Sequence, residues 1–249
     1  MHRSTTVRDA LAFLTFLGRS RRPTPEALRW FGLVGALTGL ALGALWWGAA
    51  QLWPRPVAAA VVVAADLAVT GLLHLDGLAD AADGLLGHLG TERRLAVMRQ
   101  SDVGAFGVGV VAVVLLIRWS TLAALRPAPL LLAALWCLSR VAMAVTVVEL
   151  PYARVEGGIV SAFRSKSAPD GPRRGGARAL SVALWCASAA LGAAWSLPAG
   201  VVAVLAGTVA FSAVVWLAFR RIGGFTGDVL GAAGILAESV GLLAAAARW

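Results

Sequence analysis

Apolar runs long enough to cross a bilayer return seven times along this chain, and nothing else limits its fold so severely. They cover residues 30–52, 56–75, 104–125, 127–149, 179–196, 198–219 and 229–247. A helix needs about 20 apolar residues to cross the hydrocarbon layer. There the backbone must satisfy its own polar groups, so each run reads as a helix. Of the 249 residues 59% are apolar and only 14% charged, too few charges to solvate a globule of this size. The fold class that follows is all-α, a polytopic integral membrane bundle of about seven transmembrane helices in one domain, 1–249. Residues 10–18 are apolar but too short to cross, carry no cleavage pattern, and read as a short N-terminal interfacial helix. Residues 91–102 read as a short amphipathic surface helix with Thr91 as a candidate N-cap. Gly32, Gly35, Gly39 and Gly43 form a close-packing stripe on the first span.

The basic residues set an orientation. With the N-terminus inside, the inner segments hold 17 of the 22 Lys and Arg and the outer segments three, Arg55, Arg126 and Arg248. By the positive-inside rule this places the N-terminus in the cytoplasm and the chain in the cell inner membrane as a multi-pass protein. The net charge of +9 therefore reports topology and phosphate handling; no aromatic-basic interleaving points to nucleic acid. Cys137 and Cys186 lie inside apolar runs, as small buried hydrophobes with no disulfide or metal framework.

The same map brings three segments to the cytoplasmic side: an acidic stretch, the basic loop 150–178, and GGFTGD at 223–228. The acidic stretch carries Asp76, Asp80 and Asp83, whose i, i+4, i+7 spacing lays them on one helical face. Three like charges beside hydrocarbon are costly unless a cation neutralises them. Carboxylates without thiols or several imidazoles favour Mg²⁺ or Mn²⁺ over zinc. Asp80-Ala-Ala-Asp83-Gly84 and Gly224-Phe-Thr-Gly-Asp228 partly match the two halves of the CDP-alcohol phosphotransferase signature, whose aspartates bind the metal that holds a diphosphate. The Ala-Arg of the first half is absent, and position 232 is Ala where another Asp would fall.

A longer similarity covers nearly the whole chain. TGLLHLDGLADAADGL (70–85), MRQSDVGAFG (98–107), SR (139–140), PYARVEG (151–157) and GGFTGDVLGA (223–232) resemble, in this order, the cobalamin synthase family of adenosylcobinamide-GDP ribazoletransferases. Gln100, Asp102 and Ile235 depart from the residues usual in that family. The resemblance implies that the ribose 3′-hydroxyl of α-ribazole, or of its 5′-phosphate, attacks the cobinamide-linked phosphorus of adenosylcobinamide-GDP and GMP leaves. It implies Asp76, Asp80, Asp83 and Asp228 as holders of one or two Mg²⁺ ions, one of them serving instead to accept the hydroxyl proton. Arg99, Arg140 and Arg154 become candidate phosphate ligands, since a guanidinium grips two oxygens. Ser101, Glu156, Thr226, Gly227 and Glu238 complete the candidate substrate set. As partners the resemblance implies the two substrates, the lipid bilayer and other membrane proteins of corrinoid assembly, with a homo-oligomer left open.

Several charges keep two readings. His74 is either a base or hydrogen-bonding group at the site or a packed histidine. Arg140, inside the fourth run, needs a partner and is expected to face the site. Glu238 either supports the site or pairs with Arg140 or Arg118. Asp66, deep in the second run, is expected in an interhelical hydrogen bond or ion pair. Competing functions are a CDP-alcohol phosphotransferase and a transporter whose intramembrane charges line a pathway. Clustering of the acids at one face and the absence of a visible inverted repeat disfavour the transporter.

Overall fold

A computed structural model describes residues 7–15, 25–154 and 172–248, with the backbone alone for 172–177. Ten helices form among these residues: α1 (Val7–Leu14), α2 (Phe31–Leu52), α3 (Arg55–Val69), α4 (Leu73–Leu86), α5 (Thr91–Val97), α6 (Ala105–Ala124), α7 (Pro129–Glu149), α8 (Pro172–Trp195), α9 (Ala199–Ile222) and α10 (Gly227–Ala245). A 3₁₀ turn, Pro25–Trp30, leads into α2. Among the described residues no strands form, only an isolated parallel bridge between Tyr152 and Phe225. Six helical stretches are long and apolar enough to cross a membrane, and a seventh results if α3 and α4 count together. The chain is a multi-pass membrane bundle.

One expectation changes. The second apolar run does not continue straight into the acidic stretch. It stops at Val69, and α4 departs from α3 at 86°. The break is a Schellman turn: Gly71 is left-handed (φ 57°), its N–H donates to Ala68 and that of Leu72 to Leu67. The Thr70 hydroxyl donates to the Asp66 carbonyl, satisfying another helix-end acceptor. The bend has a physical reason. A straight helix would leave three aspartates along one face at bilayer depth, where ionised groups are costly. Bent, α4 turns away from α3 and brings its aspartates beside the starts of α6 and α10. The surface helix is also shorter than expected, and Gly90, not Thr91, is its N-cap; the Thr91 hydroxyl donates to the Arg221 carbonyl instead.

Helix α7 is the central post, its side chains almost all buried. The glycine stripe of α2 packs on it antiparallel, with Gly32 against Val141 and Gly43 against Pro129. Close approach gains van der Waals contact, which drives helix association in lipid. Gly77 of α4 backs onto the Asp228 backbone at the start of α10, Gly231 of α10 meets His74, and Gly84 meets Arg94 and Met98. These contacts put α4 at the end of the bundle where α6, α8 and α10 begin and α7 and α9 finish.

Candidate active site

The C-terminal half of α4 is tied down in two ways. At its C-terminus the Arg94 guanidinium donates to the carbonyls of Gly84 and Leu85, both at 2.8 Å, and Arg221 donates to Leu85 at 2.7 Å. These cations sit on free carbonyls at the negative end of the helix dipole. Asp83 works the opposite way. Its carboxylate accepts the backbone N–H groups of Gly104 (2.7 Å) and Gly107 (2.9 Å), capping the first turn of α6. Asp83 thus anchors α4 to α6 through oxygens that would otherwise point at the site.

A second anchor forms from segments far apart in sequence. Phe225 N–H donates to Pro151 (3.1 Å) and Ala153 N–H to Phe225 (2.9 Å), zipping 151–153 against the segment entering α10. Next along each segment stand Arg154 and Asp228, paired at 2.6 Å. Thr226 caps α10, accepting from Val229 N–H, and its hydroxyl donates to Asp228 at 3.2 Å. Arg154 also donates to the Met98 carbonyl at 3.3 Å.

Asp76 is exposed and Asp80 half-buried, and neither carboxylate has a hydrogen-bond or ion-pair partner among the described residues. Partial burial, then the neighbouring charges of Asp228 and Asp76, push Asp80 up to about 7, against the pull of Arg154. A carboxyl so crowded by others is held near neutrality unless a cation joins it. Among the described residues no three acidic, histidine or cysteine side chains already form a closed ligand set. The donor chemistry nevertheless fits Mg²⁺, which takes one or two carboxylates and fills its other positions with water and substrate phosphate oxygens. Asp76 and Asp80 supply unpartnered oxygens, and Asp228 stands beside them already bonded to Arg154.

Beside this cluster a cavity of about 210 Å³ opens between α4, α7 and α10. Its lining combines apolar Phe13, Phe31, Met143, Val147 and Leu230 with polar His74, Asp76, Tyr152, Arg154 and Asp228. Gly227 also faces it. Burial pushes the Tyr152 hydroxyl up, and the charge and hydrogen bonding of the Arg154 side chain beside it pull the other way. His74 is 6% exposed, and burial together with the charges of Arg140 and Arg118 drives its imidazole well below the ordinary value, so it is neutral.

Arg140 and Glu238 are placed elsewhere. They belong to a buried network that joins α3, α6, α7 and α10: Arg118 bonds Asp66 (2.6 Å) and Glu238 (3.1 Å), and Arg140 bonds Glu238 (2.9 Å). Ser139 donates to Glu238 and Trp136 to Asp66, while the Arg118 guanidinium lies over the Trp136 ring. Glu238 is ten residues along α10 from Asp228, about 15 Å of rise. Of its two readings the structure favours pairing with both arginines, and Asp66 makes the interhelical ion pair expected of it. Thr226 serves as a helix cap, Arg99 and Ser101 are exposed on the turn after α5, and Glu156 lies outside the described residues. The sequence reading passed over Tyr152, Phe13 and Phe31 as site residues. Tyr152 is the chain's one tyrosine, set in a polar loop, and that was its available signal.

Fold and site together define a polytopic membrane protein with an acidic, arginine-bearing site built at one end of its bundle. Positions 6–246 match the family described as cobalamin-5-phosphate synthase, and the chain belongs to it. It is similar to proteins named adenosylcobinamide-GDP ribazoletransferase. The one from Chlorobaculum tepidum is 36% identical, covering 95% of this chain and 93% of that relative. The one from Bradyrhizobium diazoefficiens is 37% identical over 97% and 93%, and the one from Vibrio parahaemolyticus 32% over 86% and 78%. No solved structure gives a significant match. Family membership decides against the CDP-alcohol phosphotransferase and transporter readings.

Proposed function

We propose that this chain joins adenosylcobinamide-GDP to α-ribazole, or to its 5′-phosphate, in the nucleotide-loop step of cobalamin assembly, with Mg²⁺ as its metal. The observation that carries the site assignment is the gathering of two unpartnered carboxylates, Asp76 and Asp80, beside the Arg154–Asp228 couple, with Asp76, Arg154 and Asp228 lining a cavity. A diphosphate linkage is broken by neutralising its oxygens and lining up the attacking group more than by covalent help. Asp76, Asp80 and Asp228 would hold the metal, which when bound offsets the charge on the diphosphate. Arg154 grips a phosphate oxygen through the guanidinium nitrogens not spent on Asp228 and Met98, and exposed Arg99 screens the entering anion. The ribose 3′-oxygen forms its bond to the cobinamide-linked phosphorus, its proton passes to a carboxylate of the cluster, and GMP departs with the bridging oxygen. Asp83 keeps α4 in register with α6 while this happens. The arginine distribution supports a cytoplasmic site in the inner membrane, where the substrates are made available from the aqueous side.

Purified protein in nanodiscs, given adenosylcobinamide-GDP, α-ribazole and Mg²⁺, should release GMP and the joined corrinoid, read by chromatography. Asp80→Asn and EDTA should each remove the product. Absence of product from folded wild type would sink the transferase reading, and undiminished product in EDTA would sink the metal.

A further inference from the structure

A second cavity, of about 790 Å³, lies in a cleft bounded by α7, α8 and α9 and shares no lining residue with the one beside the carboxylates. Its walls run from Leu138 to Glu149 on α7 and from Thr208 to Phe219 on α9, about 16 Å of helix rise in each case. Both helices finish at the active-site end, so Glu149 and Phe219, with Arg178 from the first part of α8, mark the mouth. Trp185 and Thr208 mark the deep end, where the indole N–H donates to the hydroxyl at 3.2 Å. The hydrocarbon layer is about 30 Å thick, so the cleft is about as deep as one leaflet. Between mouth and floor its lining is mostly hydrocarbon, with Val141, Val145, Val148, Phe211 and Val215. The hydroxyls of Thr146, Thr208 and Ser212 also line it, but each already donates to the carbonyl one turn back in its own helix. The mouth differs. There the Arg178 guanidinium makes two hydrogen bonds to the Glu149 carboxylate, at 2.8 and 2.7 Å. Arg220, next to Phe219, lies 5.7 Å over the Trp216 ring, with no carboxylate partner among the described residues. Of these three charged groups two are positive and one negative.

We propose that this cleft binds one anionic phospholipid from the leaflet on the active-site side, an acyl chain between α7, α8 and α9 and the phosphate at Arg178 and Arg220. The volume lies within the ~300–1,000 Å³ of pockets that hold a discrete ligand. An acyl chain carries no polar atom, so it leaves nothing unsatisfied among valines and phenylalanines. It also ends where the cleft ends, one leaflet deep. The headgroup follows from charge. A mouth with an extra guanidinium attracts a phosphate, and basic groups between transmembrane helices favour acidic headgroups. A zwitterionic headgroup would bring a further cation to a mouth that already has one in excess. A helix from a second copy fits less well. It would cross both leaflets, twice the depth of the cleft. Close helix approach also uses small residues, as the glycines of α2 do, whereas bulky valines and aromatics line this cleft.

Lipid titration tests it. The full chain, purified in detergent and stripped of lipid, is titrated with phosphatidylglycerol or phosphatidylcholine, and bound lipid is counted by native mass spectrometry. Wild type should hold one phosphatidylglycerol about fivefold more tightly than phosphatidylcholine. Val145 lines the cleft and is 36% exposed, so Val145→Trp fills the cleft from its open side and should abolish the tight site. Should that variant fail to fold, Val182→Trp, at a lining residue 63% exposed on α8, takes its place. Arg220→Gln, an exposed change, should weaken phosphatidylglycerol about fivefold, to the level of phosphatidylcholine. A filled cleft that still holds the lipid as tightly as wild type overturns the proposal. So do equal affinities of wild type for the two lipids, or an Arg220→Gln variant that keeps the preference. A wild-type dimer that Val145→Trp dissolves also overturns it and gives the cleft to a second copy. No substrate enters these titrations, so their outcome is independent of the transferase reading.

Discussion

Replacing Glu238 by glutamine tests whether the buried network holds the bundle together or serves the substrate. In the native protein two arginines, Arg118 and Arg140, face two carboxylates, Asp66 and Glu238, and the four charges cancel. Glutamine keeps the shape of the side chain and can still accept from Ser139, so packing is not at issue. The charge balance is. Arg118 keeps Asp66, but Arg140 loses its carboxylate and is left buried at 3% exposure with the Ser139 hydroxyl. Breaking a buried pair on one side costs about 3–5 kcal/mol because the remaining charge has no partner. For a chain of this length that corresponds to a Tm lowered by about 6–20 °C. Thermal unfolding in nanodiscs, followed by tryptophan fluorescence, measures it. Adding Arg140→Met removes the orphaned charge and should recover part of the loss, giving a coupling of about 0.5–3 kcal/mol in the double-mutant cycle. With Asp228 about 15 Å away along the helix, the folded fraction of Glu238→Gln should retain transfer activity. An unchanged Tm with transfer abolished would refute the reasoning and return Glu238 to the substrate.

Other consequences are open to measurement. Under the proposed metal role, Mg²⁺ competes with the proton on Asp80, so its apparent affinity should weaken about tenfold per unit as pH falls below about 7 and level off above, read by metal titration across pH; a flat profile refutes the role of Asp80. In the metal-free protein the sign is that of a raised carboxyl: the fold is firmest below the ordinary carboxylate range and loses stability as pH rises through about 7, which added Mg²⁺ should reverse in a melting curve. Asp83→Asn leaves one of the Gly104 and Gly107 N–H groups poorly served and should cost about 1–2 kcal/mol in unfolding, because Asp83 caps α6. At Gly77 an added Cβ would stand 2.9 Å from the Asp228 carbonyl oxygen, so Gly77→Ala should push α4 from α10 and lower kcat by about 10²-fold with a smaller change in Tm.

Hydropathy alone located most of the long helices to within a few residues, because crossing hydrocarbon demands about 20 apolar residues whatever the tertiary packing; α3, which stops at Val69, and α8, which starts at Pro172, are the exceptions. The acidic helix was legible from its spacing, and 76, 80 and 83 do share α4. Its direction was not. Apolar content ran on past Val69, and the turn at Gly71 and Leu72 is decided by capping and by exclusion of carboxylates from hydrocarbon, which a hydropathy window averages away. Glu238, Arg140 and Arg118 showed themselves as intramembrane charges needing partners, but which would pair depended on helix rotation, and rotation is fixed by packing. The encounter of Tyr152 and Arg154 with Phe225 and Asp228, more than seventy residues apart, left no local pattern at all.

The charged quartet inside the bundle also imposes an order on how the chain must be made. Asp66 leaves the ribosome first, Arg118 next, then Arg140, and Glu238 last. Counting only these four, the growing membrane domain passes from one negative charge to none, then to one positive charge, and reaches neutrality only when α10 arrives. Until then one arginine lacks its carboxylate, and an uncompensated charge at bilayer depth holds its helix near water or the insertion machinery. Insertion of α7 is therefore provisional until the chain's final helix docks. A product truncated ahead of α10 should be retained at the machinery and degraded, even though its long helices are hydrophobic enough to enter the membrane.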